Sequence, residues 1–121
     1  MPDKPRLDAL LPLKPKYLHI LLAVADGPLH GYGIMQEVAE RTDGQVRLWP
    51  AGLYGALREL EKLGLIEETD TRPGPEEDDE RRRYFALTPL GRQALEADVR
   101  RLEAIVEHAR SRRALRKPRR A

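Results

Sequence analysis

The stretch Pro50-Ala51-Gly52-Leu53-Tyr54-Gly55-Ala56-Leu57-Arg58-Glu59-Leu60-Glu61-Lys62-Leu63-Gly64 decides the fold. Proline suits a first helical turn, where its missing N–H would have no partner anyway. Glycine just past a last turn takes the left-handed conformation that closes a helix. Between the two, Leu53, Leu57 and Leu60 recur at helical spacing and make one apolar face. With Leu57 turned to a core, Leu53, Leu60 and Gly64 fall on its side. Ala51, Gly52, Gly55, Arg58, Glu59 and Lys62 fall on the other side, with Tyr54 on the flank. A glycine inside a helix costs about 1 kcal/mol relative to alanine, so Gly52 and Gly55 on one face call for a reason. One reason is the close approach of another backbone, such as a sugar-phosphate chain. The other reading is an ordinary solvated face with a loosely built first turn. In the first case Arg58 and Lys62, one turn apart, are within reach of phosphates or guanine edges.

Working outward, Tyr17, Leu18, Leu21, Val24 and Ala25 predict a first helix over 15–25, ended by Asp26-Gly27-Pro28. Leu29-His30-Gly31-Tyr32-Gly33 leads into a second helix with Ile34, Met35, Val38 and Ala39 on one face. Thr42-Asp43-Gly44 stops it. Val46-Arg47-Leu48 reads as a brief extended piece, and Trp49, the only tryptophan, as a staple at the entry of the third helix. Residues 1–13, with Pro2, Pro5 and Pro12, read as a loose N-terminal arm from which Leu10 and Leu11 can dock on the core.

Downstream, Leu65–Thr69 and Arg83–Leu87 read as two strands joined by a polar loop. That loop holds Pro73-Gly74-Pro75 and five successive acids over 76–80. Arg81, Arg82 and Arg83 open the returning strand, where they can touch phosphates or pair with those acids. Thr88-Pro89 supplies the N-cap and first residue of a last helix. On it, Leu95, Val99, Leu102, Val106 and Ala109 are spaced four, three, four, three, the pattern of a coiled-coil seam. This stripe exceeds what one small body can cover, so a second copy of the chain is its expected partner.

The element order is helix, helix, helix, strand, strand, long helix. It predicts a mainly α (α+β) chain: a winged helix-turn-helix over 14–87, a C-terminal dimerisation helix over 88–110, and a basic, disordered tail over 111–121. In such folds the third helix enters the major groove of double-stranded DNA.

Composition narrows the alternatives. With 121 residues, 40% apolar and 5% aromatic, there is material for one modest aliphatic core. The absence of cysteine excludes disulfides, thiolate chemistry and Cys-ligated zinc, and fits a reducing cytoplasm. No apolar run approaches the ~20 residues of a membrane span, and no signal region follows the N-terminus. His19, His30 and His108 lie on different elements without carboxylates at ligand spacing. Gly-rich phosphate loops, nucleophile elbows and HExxH motifs are missing. The expectation is therefore no metal, no cofactor and no enzyme. Net charge is only +2, yet 35% of residues are charged and seven basic residues crowd 110–120. The low net charge and the acidic run favour one alternative, a winged helix that serves as a protein-interaction adaptor.

Four segments carry a resemblance to a known family: Leu29-His30-Gly31-Tyr32-Gly33-Ile34, Leu53–Glu61, Gly64-Leu65-Ile66, and Arg83-Tyr84-Phe85-Ala86-Leu87-Thr88-Pro89-Leu90-Gly91. In order and spacing they resemble the PadR family of transcription regulators, in its short type with a single C-terminal helix. The resemblance implies a dimeric winged-helix repressor that binds an operator and, in some members, is released by an aromatic or drug-like small-molecule effector. It implies that Tyr54 contacts phosphate or base and that Tyr32, at the start of the second helix, approaches the DNA backbone. Pro50, Ala51 and Gly52 form the first turn of the third helix, where backbone N–H groups can meet phosphate. The chain departs from the family at Trp49, where a small hydroxyl residue is usual, and at Ala51-Gly52, where Gly-Thr is common. It also lacks the last-helix tryptophan of the drug-binding members.

Overall fold

The computed structural model describes residues 7–69 and 83–115. The acidic run, Arg81, Arg82 and the end of the basic tail lie outside the described residues. A short 3-10 turn, Leu7–Leu10, precedes α1 (Pro15–Ala23). Then come β1 (Leu29–His30), α2 (Gly31–Arg41), α3 (Pro50–Lys62), β2 (Ile66–Thr69), β3 (Tyr84–Leu87) and α4 (Pro89–Ser111). The strands form an antiparallel sheet in the order β1-β3-β2. Ile66 pairs with Leu87 and Thr69 with Tyr84 on one side of β3, and Leu29 pairs with Phe85 on the other.

The two-residue strand β1 is a correction to the sequence reading, which took 29–33 as a lead-in. Two residues between Pro28 and Gly31 are too few to display an alternation, so only pairing with β3 makes them a strand. Conversely, Val46-Arg47-Leu48 is not a strand. Asp43 and Gly44 both have positive φ, and the Val46 N–H donates to Thr42 Oγ1 at 3.0 Å, so this connection is a compact loop. Helix α1 stops at Ala23, short of the expected Ala25.

The core is aliphatic. Ile20 and Leu21 of α1, Ile34 and Val38 of α2, Leu53, Leu57 and Leu60 of α3, Leu65 and Ile66, and Ala94 and Leu95 of α4 are buried together. Across the α1–α2 seam, the Arg41 guanidinium donates to Glu37 and to the His19 carbonyl oxygen at 3.1 Å. Burial first, and then the Arg41 charge, hold the His19 imidazole below its ordinary pKa.

Helix α3 ends in a Schellman motif. Gly64 has φ 79°, its N–H donates to the Glu61 carbonyl at 3.0 Å, and the Leu65 N–H reaches back to Leu60 at 3.0 Å. Onto this corner α4 is fixed by Thr88. The hydroxyl donates to the Gly64 carbonyl and accepts from the Gly91 N–H at 2.9 Å, while the Thr88 N–H donates to the Leu65 carbonyl at 3.1 Å.

The arm is not loose throughout. Leu7, Leu10 and Leu11 pack on the core, and Leu13 is buried. Its N–H donates to Asp98 Oδ1 at 3.3 Å, and Arg101 Nε donates to the same oxygen at 2.7 Å. Asp98 is fully buried and pins the N-terminal segment to α4. A charge needs such partners when it leaves water.

Gly91 lies where α4 crosses the corner, and a Cβ there would be driven into the Leu65 carbonyl oxygen. Gly91→Ala is expected to lose about 3 kcal/mol of unfolding free energy, because the obstacle is backbone and cannot rotate away. Urea denaturation measures this; a loss below about 1 kcal/mol would mean that the corner is soft.

Candidate nucleic-acid interface

Helix α3 divides as its sequence demands. Leu53, Ala56, Leu57 and Leu60 face the core, while Ala51, Gly52, Arg58, Glu59 and Lys62 are exposed. Gly55 is half-buried, yet a Cβ built on it meets nothing within 4 Å. At Gly52 a Cβ would meet only the Lys16 ammonium, at 3.5 Å. Neither glycine is therefore required by packing among the described residues. Arg58 and Lys62 have no ion pair with any described residue. The same contact brings Lys16, from the start of α1, beside the first turn of α3. Sequence reading missed it, since only the packing of α1 on α3 places a residue 36 positions away at this face.

Tyr54 has a double role. It is 43% exposed, and its hydroxyl crosses the N-terminus of α2, where a Cβ on Gly31 would stand 2.6 Å from Oη. Tyr54 thus bridges α3 to the start of α2 over the bare Cα of Gly31. Tyr32 is 56% exposed and stacks on His30 with ring centroids 6.4 Å apart. His30 is structural: its Nδ1 accepts from the Gly33 N–H at 3.0 Å, capping α2, and its ring meets the Tyr84 edge at 5.3 Å. One histidine so connects the α2 start, the sheet and Tyr32.

Trp49 is not a staple. It is the N-cap residue of α3, makes no side-chain cap, and is 70% exposed. Tyr32, Trp49 and Tyr54 therefore ring the start of α3 as exposed aromatics. On the hairpin, Arg83 Nε lies 3.2 Å from Glu68 Oε2 across the strands, so its charge is partly answered within the chain.

The seam of α4 splits. Leu95 is buried in the chain's own core, a correction to its place in the expected interface. The wheel alone did not show that the first turns of α4 lie on the body. Val99 and Val106 are exposed, and Leu102 and Ala109 are half-exposed. No described residue of α4 beyond Asp98 is buried, so the last third of the helix stands clear of the body.

A three-stranded sheet packed beside α1–α3, with α3 offering a polar, glycine-bearing face, defines a winged helix-turn-helix of the DNA-binding class. Residues 20–97 match the model of the PadR-like family of transcriptional regulators. The chain is 36% identical over 88 residues to a transcriptional regulator of Mycobacterium tuberculosis, covering 73% of this chain and 76% of that one. It is 45% identical over 80 residues to an uncharacterised 37.1 kDa protein of a Streptomyces fradiae transposon, covering 66% of this chain but only 21% of that protein. Its fold is similar to that of Bacillus subtilis PadR in complex with operator DNA, at TM-score 0.57 and 24% identity, covering 69% of this chain and 47% of the other. The chain belongs to the PadR-like family, whose members are transcriptional regulators and not enzymes. Among the described residues no helix is long and apolar enough to cross a membrane.

With open space beyond Gly55, Gly55→Ala is expected to stabilise the fold by about 0.5–1 kcal/mol through helix propensity alone. Thermal or urea unfolding reads the sign; destabilisation would show that the chain itself needs this glycine.

Proposed function

We propose that the protein is a homodimeric repressor that binds a specific operator in the cytoplasm, reads it with α3, and is released by a small-molecule effector. The observation that carries this reading is the outer face of α3. Gly52 and Gly55 leave the helix surface bare without any demand from packing among the described residues, beside the cations Arg58 and Lys62, which no described residue pairs. A bare helix surface lets a duplex backbone come close, and the cations supply the phosphate attraction.

In this reading Tyr32, Pro50, Ala51, Gly52, Tyr54 and Gly55 line the approach, while Arg58 and Lys62 reach into the groove. Lys16 adds a phosphate contact. Arg81, Arg82 and Arg83 are the proposed phosphate contacts beyond α3, with Arg83 the weaker contributor because Glu68 already answers its charge. The run of Val99, Leu102, Val106 and Ala109 supports the dimer. These side chains have the a/d spacing, Val99 and Val106 are exposed, and Leu102 and Ala109 are half-exposed. A second copy covering them would set two α3 helices on successive major grooves.

The first test is fluorescence anisotropy on DNA from the protein's own upstream region against scrambled DNA, at two salt concentrations. Sequence-dependent binding that survives the higher salt is expected; equal binding to both, erased by salt, would instead favour an adaptor that mainly binds protein. Arg58→Ala should weaken operator binding by about 1–3 kcal/mol. Gly55→Ala should weaken it too while stabilising the fold, a combination that no loss of structure produces. Leu102→Glu places like charges across the seam and should halve the mass seen by light scattering; a variant that keeps the wild-type mass removes the seam.

A further inference from the structure

In a helix-turn-helix the first residues of the third helix are the ones that meet base edges. In this chain they are Pro50, Ala51 and Gly52, all exposed, and none has a side chain that can donate or accept a hydrogen bond. Leu53 is buried, and the Tyr54 hydroxyl is turned to Gly31 at the start of α2. Arg58 is the next exposed side chain of α3 able to hydrogen-bond a base, about 12 Å along the axis from Pro50. That length corresponds to roughly three base pairs. The one large side chain left at this end is Trp49, which is 70% exposed and makes no side-chain cap. We propose that Trp49 reads thymine, by covering its 5-methyl group in the major groove at the start of α3. The assignment rests on the DNA reading proposed above and adds to it the base that this end of the helix selects.

The chemistry of the indole selects the base. It has a single N–H donor, and the rest of its surface is flat and apolar. In the major groove thymine alone carries an apolar group, its methyl; elsewhere the base edges present hydrogen-bond donors and acceptors. An indole face laid on those groups strips their water without replacing the hydrogen bonds, which is costly. Laid on a methyl group, it removes apolar surface from water on both sides. The protein surface beside the indole continues this character, with Met35, Ala39 and Leu48 at its edge. Arg47, two residues before Trp49, is exposed, and no described residue pairs its guanidinium. Its charge suits a neighbouring phosphate, a contact that positions the strand and carries no sequence information.

The test removes single methyl groups from the DNA. The operator is located in the protein's own upstream DNA by footprinting with the full chain. Each thymidine in the footprint is then replaced, one at a time, by deoxyuridine, which deletes the methyl and keeps the base pair. At one position or more the wild-type Kd should rise about fourfold, the effect of uncovering one buried methyl group. In Trp49→Ala the rise at that position should vanish, and in Trp49→Phe part of it should remain. Trp49→Ala should keep the wild-type urea midpoint, since the side chain is exposed and caps nothing. Arg47→Ala should weaken binding to thymidine and deoxyuridine operators alike and reduce the salt slope by about one. Trp49 is the only tryptophan, so its emission should shift when operator saturates the protein. Emission that does not shift overturns the assignment. So does a methyl dependence that survives in Trp49→Ala, which would give the methyl to Ala51, or one that is lost with Arg47 and kept without Trp49. Specific binding that is indifferent to every methyl removes the assignment and leaves the DNA reading standing. Upstream DNA bound no better than scrambled DNA removes both.

Discussion

The corner where α3 turns into β2 is the constraint on which the rest of the molecule depends. Gly64 closes α3 in the left-handed conformation, and its carbonyl and that of Leu65 are both taken by Thr88. Thr88 in turn caps α4 through Gly91. One threonine therefore satisfies the end of α3, the start of α4 and the root of the hairpin. Helix ends leave several backbone groups without partners, and here two ends answer each other. The direction in which α4 leaves the body, and so the placement of its apolar run relative to α3, is set at this point. Asp98 adds a second fixation three turns along α4, by holding Leu13 and Arg101 together.

What the sequence revealed follows from how local each signal is. Pro50 and Gly64 bound α3, and Thr88-Pro89 opens α4, because caps act within a few residues and leave their mark in composition. The inward leucines of α3 declare themselves by period. Strand β1 left no such mark, since two residues have no period. Lys16 beside Gly52, Gly31 beneath Tyr54, and Asp98 beneath Leu13 are tertiary facts joining residues far apart in the chain. Leu95 shows the limit of periodicity from the other side. It keeps the seam's spacing with Val99 and Leu102, yet the chain's own core takes it. Period says which residues share a face and is silent on what covers it.

Trp49 was legible as an oddity and misread in its role. A tryptophan before a helical proline suggests a side chain folded back to fasten the turn. The loop from Thr42 to Leu48 is instead closed by its own means. Thr42 Oγ1 donates to the Val38 carbonyl at 2.8 Å and accepts from Val46, and Leu48 is buried. With the turn already fastened, the indole is left 70% exposed. Large exposed aromatics grouped at one place are unusual on a surface with no partner. That group surrounds the start of α3, the helix that carries Gly52 and Gly55.

The same rigidity shapes how a signal could act. Helix α3 is braced on three sides: by Tyr54 over Gly31, by its leucines in the core, and by the corner at Gly64. A helix so held has no second packing visible in the fold, and coupling between sites needs either two arrangements or shared surface. An effector seated on the far part of α4 would have to act through the relation between two copies instead, since within one chain the corner at Thr88 offers it no hinge.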